Sequence, residues 1–193
     1  MSPRSFVRAA ALVAATVAAT AGAQNPPDPH LLLDPQREAM TALRPMLGVW
    51  RGPAWTLRPD GTKRQIVQTE RIGPFLDGTL TVIEGRGHEA DGRVGFNAFG
   101  IVSYNVQTKT YSMRSYAQGQ AGDFRFEPTA DGYRWEIPAG PATIRFSATI
   151  RDGTLHETGE RQVPGQPPVQ FFEMTLQRVG DSDWPVAGAI GPR

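Results

Sequence analysis

The sequence predicts an all-β fold, an antiparallel up-and-down barrel of about eight to ten strands with one short N-terminal helix. From Gly48 onward, apolar and polar residues alternate with a period of two, as in half-buried strands. Turn residues recur about every eight to twelve positions, and 21 glycines and 17 prolines in 193 residues favour many short elements. One short helix cannot cover a whole apolar sheet face, so we expect the sheet to close on itself.

Residues 1–23 have the pattern of a secretory signal. Arg4 and Arg8 form a basic start, an apolar run covers 9–20, and small residues end at Ala23, the expected cleavage position. The run is shorter than the roughly 20 apolar residues that span a bilayer. We therefore expect a periplasmic or secreted mature protein without a membrane span.

The rest of the chain divides into three parts. Residues 24–33 contain three prolines and predict a flexible arm. Residues 34–179 form the predicted barrel domain, which opens with a helix capped by Asp34 and ending near Pro45. Residues 180–193 form a Gly- and Pro-rich tail that we expect to lie over the surface.

Turn residues and alternation together predict the strands. The earlier strands are expected at 49–57, 64–71, 78–84 and 96–104, with turns at 58–62 and 89–93. Later loops are expected at 106–109, 118–121, 128–131, 138–141 and 164–167, with a tight turn at 152–153. This register places one apolar stripe inside the barrel: Val102, Tyr104, Tyr111, Met113, Phe124, Phe126, Tyr133, Trp135, Ile144, Phe146, Ala148, Ile150, Leu155, Phe172, Met174 and Leu176.

Composition excludes several classes of function. The chain has no cysteine, which excludes disulfides, thiolate metal sites and a cysteine nucleophile. With 20 basic and 19 acidic residues, it lacks the positive charge that nucleic-acid binding requires. The segment at 156–160, HETGE, lacks the second histidine and the helical pattern of a zinc-protease motif, so we predict no metal site.

Glu157 is the one charged residue that the register places in the apolar stripe, beside Ala148 and Met174. An unpaired buried carboxylate is costly, so such a group has a raised pKa or a partner and often marks a site. Glu157 is therefore the candidate catalytic acid or base, or a polar anchor for a ligand. Alternatively, it lies in solvent at the barrel mouth or pairs with an arginine such as Arg161.

Four segments resemble the lipocalin-like (calycin) barrels, in particular a secreted bacterial family of unknown function. They are GVWRG at 48–52, FLDG at 75–78, YNVQTKTY at 104–111 and FFEMTL at 171–176, and the resemblance spans about residues 36–179. It implies a contact between Trp50 and Arg178 that closes the barrel floor. The nitrobindin relatives bind haem through a histidine inside the barrel, which makes His156 a candidate haem ligand, although the register points it outward.

Three functions remain open. The first is an exported protein that binds a small hydrophobic molecule inside the barrel. The second is a small-barrel enzyme that uses Glu157, or a haem protein that uses His156. The third is an envelope protein with a filled barrel that acts through a protein partner. The residues expected to bind the ligand are Tyr104, Tyr111, Met113, Phe124, Tyr133, Trp135, Phe146, Glu157 and Met174.

Overall fold

The structure is a computed structural model that describes residue 28 and residues 30–184. The predicted signal, half of the predicted arm and residues 185–193 of the tail lie outside the described residues. One helix, α1, covers His30–Met40 and continues into a 3-10 helix over Thr41–Met46. Ten strands follow: β1 Gly48–Leu57, β2 Lys63–Phe75, β3 Leu80–His88, β4 Val94–Asn105, β5 Thr110–Ala117, β6 Gln120–Thr129, β7 Gly132–Ala139, β8 Ala142–Arg151, β9 Thr154–Gln162 and β10 Val169–Gly180.

The strands form a closed antiparallel barrel, as predicted. Each strand pairs with its neighbours in sequence, and β1 pairs with β10 to complete the ring. Glu157 lies opposite Ala148 on β8 and Met174 on β10, as the predicted register required. The ring therefore has one interior face, and the alternation of each strand decides which side chains enter it.

Three hairpins are tighter than predicted. The turns at 118–119, 130–131 and 140–141 replace the four-residue loops expected there. Strand pairing consequently shifts by two residues, so that Met113, for example, lies opposite Phe124. A shift of two leaves every side chain on its predicted face, which is why the apolar stripe stays inside.

The helix begins earlier than predicted. The Asp28 carboxylate accepts a hydrogen bond from the His30 N–H at 3.0 Å, and its carbonyl accepts one from the Leu31 N–H at 3.0 Å. Asp28, rather than Asp34, therefore caps α1, and Pro35 lies inside the helix. Residues 30–33 are its first turn and not the end of the arm.

The helix closes one end of the barrel. Tyr111 donates its hydroxyl hydrogen to the Ala39 carbonyl at 2.7 Å, and Gln36 donates to the Tyr104 carbonyl at 3.1 Å. The most deeply buried side chains are Leu43, Met46, Trp50, Ile72, Val102, Phe126, Leu155 and Leu176. The solid part of the core thus lies under the helix, and within the described residues no helix is long and apolar enough to cross a membrane.

Trp50 and Arg178, which the resemblance implied to be in contact at the barrel floor, are paired in the structure, although their side chains have different polar partners. The two residues are register partners across β1 and β10. However, Arg178 is exposed and binds Asp181, while the buried Trp50 indole donates to the Met46 carbonyl at 2.9 Å. The 3-10 helix thus fixes Trp50 at the floor, while the Arg178 side chain lies over Gly48 in the same seam and reaches Asp181.

Candidate functional site: a cavity with two buried carboxyl groups

The barrel encloses a cavity of about 350 Å³. Its wall includes Arg64, Gly95 and Gln118, which lie beside the turns after β1, β3 and β5. In an up-and-down barrel those turns lie at the end opposite the turns that α1 covers. The cavity therefore extends from the centre of the barrel toward the end that the helix leaves free.

Small residues on one side of the barrel create the space. Strands β3, β4 and β5 direct Gly85, Ala98, Gly100, Ser115 and Ala117 into the cavity, where they leave volume unfilled. The facing wall, from β7, β8 and β10, is built of larger side chains. It consists of Trp135, Phe146, Phe171, Phe172 and Met174.

Aromatic contacts fix that facing wall. The rings of Trp135 and Phe146 stack with centroids 4.2 Å apart and an interplanar angle of 6°. Phe171 and Phe172 meet the Phe146 ring edge-on at 5.8 and 6.0 Å. Interlocked rings of this kind have few alternative rotamers, so the wall is a preformed apolar surface.

Glu157 lies inside the cavity and not at its mouth. Glu157 is 6% exposed, and its Oε1 accepts a hydrogen bond from the Trp135 indole at 3.1 Å. Arg161, the other partner considered for it, is exposed. Burial raises the pKa of Glu157 to about 7, although hydrogen bonds from Trp135 and Tyr133 oppose that rise.

A second buried acid, Glu70 on β2, was missed by the sequence analysis. Glu70 is 9% exposed, and its Oε1 accepts a hydrogen bond from Gln68 Nε2 at 2.7 Å. Burial raises its pKa to about 8, and the charges of Glu157 and Glu84 add to the rise. The sequence does carry a signal for it, since Gln68 and Glu70 occupy the same alternating positions of β2 as Ile66 and Ile72.

Glycines of β3 make room for these polar groups. A Cβ atom at Gly85 would lie 2.8 Å from Glu70 Oε1, and one at Gly87 would lie 3.2 Å from Gln68 Oε1. The segment GRG at 85–87 therefore lets the carboxyl and amide groups lie against the sheet. It is not a dinucleotide-binding fingerprint, because the next element is the strand β4 and not a helix.

Gln68 leaves one hydrogen-bond acceptor unused. Its Nε2 points to Glu70, and its buried Oε1 has no partner within the described part of the chain. Buried polar atoms are nearly always paired, and each exception calls for an explanation. In a residue that lines a cavity, an unpaired acceptor is available to a hydrogen-bond donor of a ligand.

Six of the predicted ligand-binding residues line the cavity and three do not. The six are Met113, Tyr133, Trp135, Phe146, Glu157 and Met174. Tyr104 and Tyr111 face inward at the helix-covered end, where their rings pack with centroids 4.8 Å apart. Phe124 packs against Trp135 at 5.8 Å, outside the cavity wall. The stripe predicted the inward face but not how far along the barrel axis each residue lies.

The structure does not support haem binding through a histidine. His156 points outward, where its Nε2 lies 3.2 Å from Glu173 Oε1, as the register indicated. His88 is also on the outer face, 3.4 Å from the Thr69 hydroxyl, and no described histidine lines the cavity. Across residues 30–184, no group of three His, Asp or Glu side chains is placed to hold a metal ion.

The chain is similar in structure to the crystal structure of Rv2717c from M. tuberculosis. The two share 16% sequence identity with a TM-score of 0.55, over 72% of this chain and 96% of that one. No protein-family model matches the sequence, and no curated protein matches it either. At this identity the likeness shows the barrel fold alone, and membership of a lipocalin-like family is not established by it.

Proposed function

We propose that this protein binds a small, largely apolar molecule inside its barrel. The observation that carries the proposal is the cavity of about 350 Å³, which combines a small-residue wall, an aromatic wall and a few buried polar groups. Ligand sites have this composition, and their volumes begin at about 300 Å³. The pattern of residues 1–23 supports export, so the binding would take place in the periplasm or outside the cell.

The cavity argues against the alternative of a filled barrel that acts only through a protein partner. A core without function would be packed to the density of other protein interiors, which leaves few voids larger than a water molecule. Here glycine, alanine and serine occupy inward positions at the level of the aromatic wall. The arrangement keeps space open for a ligand at the cost of packing energy.

An acid–base enzyme is the second candidate, and the pair of buried acids favours it. Glu157 and Glu70 have pKa values of about 7 and 8, close to the values that suit proton transfer near neutral pH. Either carboxyl group would act on a substrate bound against Trp135. Turnover of the bound molecule, rather than its unchanged release, would distinguish the enzyme from a carrier.

A matched pair of serine variants tests binding. Ser115 lines the cavity, whereas Ser112 lies on the outer face of the same strand, β5. Ser115→Phe should weaken binding of the neutral fluorophore N-phenylnaphthylamine by about tenfold or more, because the ring occupies the ligand volume. Ser112→Phe should leave the affinity unchanged, with folding of both variants checked by circular dichroism. Equal affinities in the two variants would place the fluorophore outside the barrel.

Export is tested separately from binding. Mass spectrometry of the protein from the periplasm or medium of its own host should give a chain that begins at Gln24. The same sample under native conditions should show additional mass if a ligand co-purifies. A full-length chain in the cell interior would contradict export and leave the binding proposal standing.

A further inference from the structure

The polar end of the cavity indicates what kind of molecule it accepts. We propose that the ligand is an organic amine, whose protonated nitrogen lies between Glu70 and Glu157 while its apolar part lies against Trp135 and Phe146. This inference rests on the proposed function, since it names the chemical class of the molecule bound in the same cavity. It depends on three independent features: the hydrogen-bond inventory, the charges and the aromatic wall.

Acceptors outnumber donors at this end of the cavity. The Trp135 indole already donates to Glu157, and Gln68 Nε2 already donates to Glu70. Once the two acids are ionised, the remaining capacity of Glu70, Glu157 and Gln68 is that of acceptors, namely the carboxylate oxygens and the unpaired Gln68 Oε1. An ammonium group has three donors and no acceptor, so it can satisfy an acceptor from each of these three side chains.

The charges exclude an acidic head group. Among the residues that line the cavity, Arg64 is the only basic one, and it binds Glu89 beside the mouth. A carboxylate or phosphate at the inner end would meet Glu70 and Glu157 and no cation. An ammonium group instead neutralises buried negative charge, which is how buried ions become tolerable.

The aromatic wall suits the same class of ligand. Trp135 stacks on Phe146 and also donates to Glu157, so the apolar wall and the acid adjoin each other. The apolar part of a ligand can therefore pack against these rings while its polar end reaches Glu157. A molecule with an apolar body and a single amine would use both surfaces at once.

Binding of a cation should release protons. In the empty cavity, burial raises the pKa of Glu157 to about 7, and burial together with the charge of Glu157 raises the pKa of Glu70 to about 8. Inside the barrel they are faced by Gln68 from β2 and by Tyr133 and Trp135 from β7, none of which is a cation. Glu84 of β3 acts on Glu70 from the outer face, where it binds Arg71 and Arg86. The ammonium stabilises the ionised acids, so its affinity should rise from about pH 5 to about pH 8.

Three probes with the same ring system test the proposal by titration calorimetry. They are naphthylethylamine, naphthylethanol and naphthylpropanoate, which carry a cationic, a neutral and an anionic end. We expect the amine to bind about tenfold or more tightly than the alcohol at about pH 8, and the propanoate to bind most weakly. The preference for the amine should disappear at about pH 5, where both acids are protonated.

Variants assign the preference to the two acids. Glu70→Gln combined with Glu157→Gln should remove the preference, so that the variant binds the amine and the alcohol with equal affinity. Glu127→Gln, on the outer face of β6 beside Arg125, is the control and should retain the preference. If the double variant misfolds, the pH dependence of the unmodified protein decides.

The possible failures are distinguishable. The amine proposal is overturned if the amine binds no better than the alcohol, or if it binds equally well to the double variant. In either case, binding of the alcohol would still support a ligand site inside the barrel. The amine proposal also falls if N-phenylnaphthylamine binds and none of the three probes does. If no probe and no fluorophore binds, the proposed function falls with it.

Discussion

Glu70 and Glu157 weaken the barrel whenever they ionise. Both carboxyl groups are buried and have pKa values well above 4.5, the ordinary value for glutamate. Between that value and the raised pKa, the unfolded chain loses its protons while the folded chain keeps them. The contribution of these two groups to the stability of the fold is therefore greatest below about pH 4.5. It falls as the pH rises through 7 and 8.

Chemical denaturation at a series of pH values checks this residue-scale account. The free energy of unfolding should fall by about 3 kcal/mol or more between about pH 5 and about pH 8, since one pKa unit corresponds to about 1.4 kcal/mol. Combining Glu70→Gln with Glu157→Gln should flatten that dependence, whereas the outer-face change Glu127→Gln should preserve it. A double variant with the same slope as the unmodified protein would show that the two acids are not buried in their protonated form.

The alternation of inward and outward positions along a strand explains why Glu157 could be predicted to lie inside the barrel and Glu70 could not. Strand β9 alternates clearly, with Leu155 and Glu157 on the same face, so the register located Glu157 inside. Strand β2 carries polar residues on both faces, and its inward set contains Gln68 and Glu70 as well as Ile66 and Ile72. Alternation of polarity gives only a weak signal in such a strand, namely that Gln68 and Glu70 alternate in step with Ile66 and Ile72. Only the pairing of Glu70 with Gly85 on β3 shows that its side chain enters the barrel.

At the scale of secondary-structure elements, the alternation of apolar and polar residues predicted which face of each strand lies inside the barrel. It did not predict which residues lie opposite each other on neighbouring strands. A register that is wrong by two residues buries the same side chains, so nothing in the apolar pattern distinguishes it from the correct one. The deciding information lies in the turns. At 118–119, Gln118 and Gly119 both have positive φ values, 49° and 79°, as does the Asp152–Gly153 turn that was predicted correctly. Asp-Gly is a strong signal for such a turn, and Gln-Gly is a weaker one.

The seam between β1 and β10 is the element-scale feature most sensitive to a small change. A Cβ atom at Gly52 would lie 2.1 Å from the Thr175 carbonyl oxygen of β10, and backbone atoms cannot rotate away. Gly52→Ala should therefore destabilise the protein by about 3 kcal/mol, the upper part of the range for overpacking. Gly180→Ala, in the same seam with open space around it, should cost less than about 1 kcal/mol because no atom lies near the new methyl group.

Thermal and urea denaturation of the two glycine variants makes this comparison. Equal stabilities for Gly52→Ala and Gly180→Ala would mean that β1 does not approach β10 closely at Gly52. The barrel would then close by a different pairing from the one described.

At the scale of the whole molecule, the barrel divides into a solid end and a hollow one. The helix, the 3-10 helix and Trp50 close the first end over a tightly packed core. The second end holds the cavity, two acids and the aromatic wall. The sequence predicted the closed barrel and six of the cavity residues. It did not predict the division, because distance along the barrel axis depends on pairing and on which inward residues are small.

Four methionines among the described residues report on the two ends separately. Met113 and Met174 line the cavity, whereas Met40 and Met46 lie in the core under the helix. The most direct test of a ligand site inside the hollow end is therefore an NMR titration of methyl-labelled methionine with N-phenylnaphthylamine. Resonances of Met113 and Met174 should shift on binding, because aromatic rings perturb methyl groups that they contact, while those of Met40 and Met46 should stay in place. Saturable binding that leaves Met113 and Met174 unshifted would contradict the account.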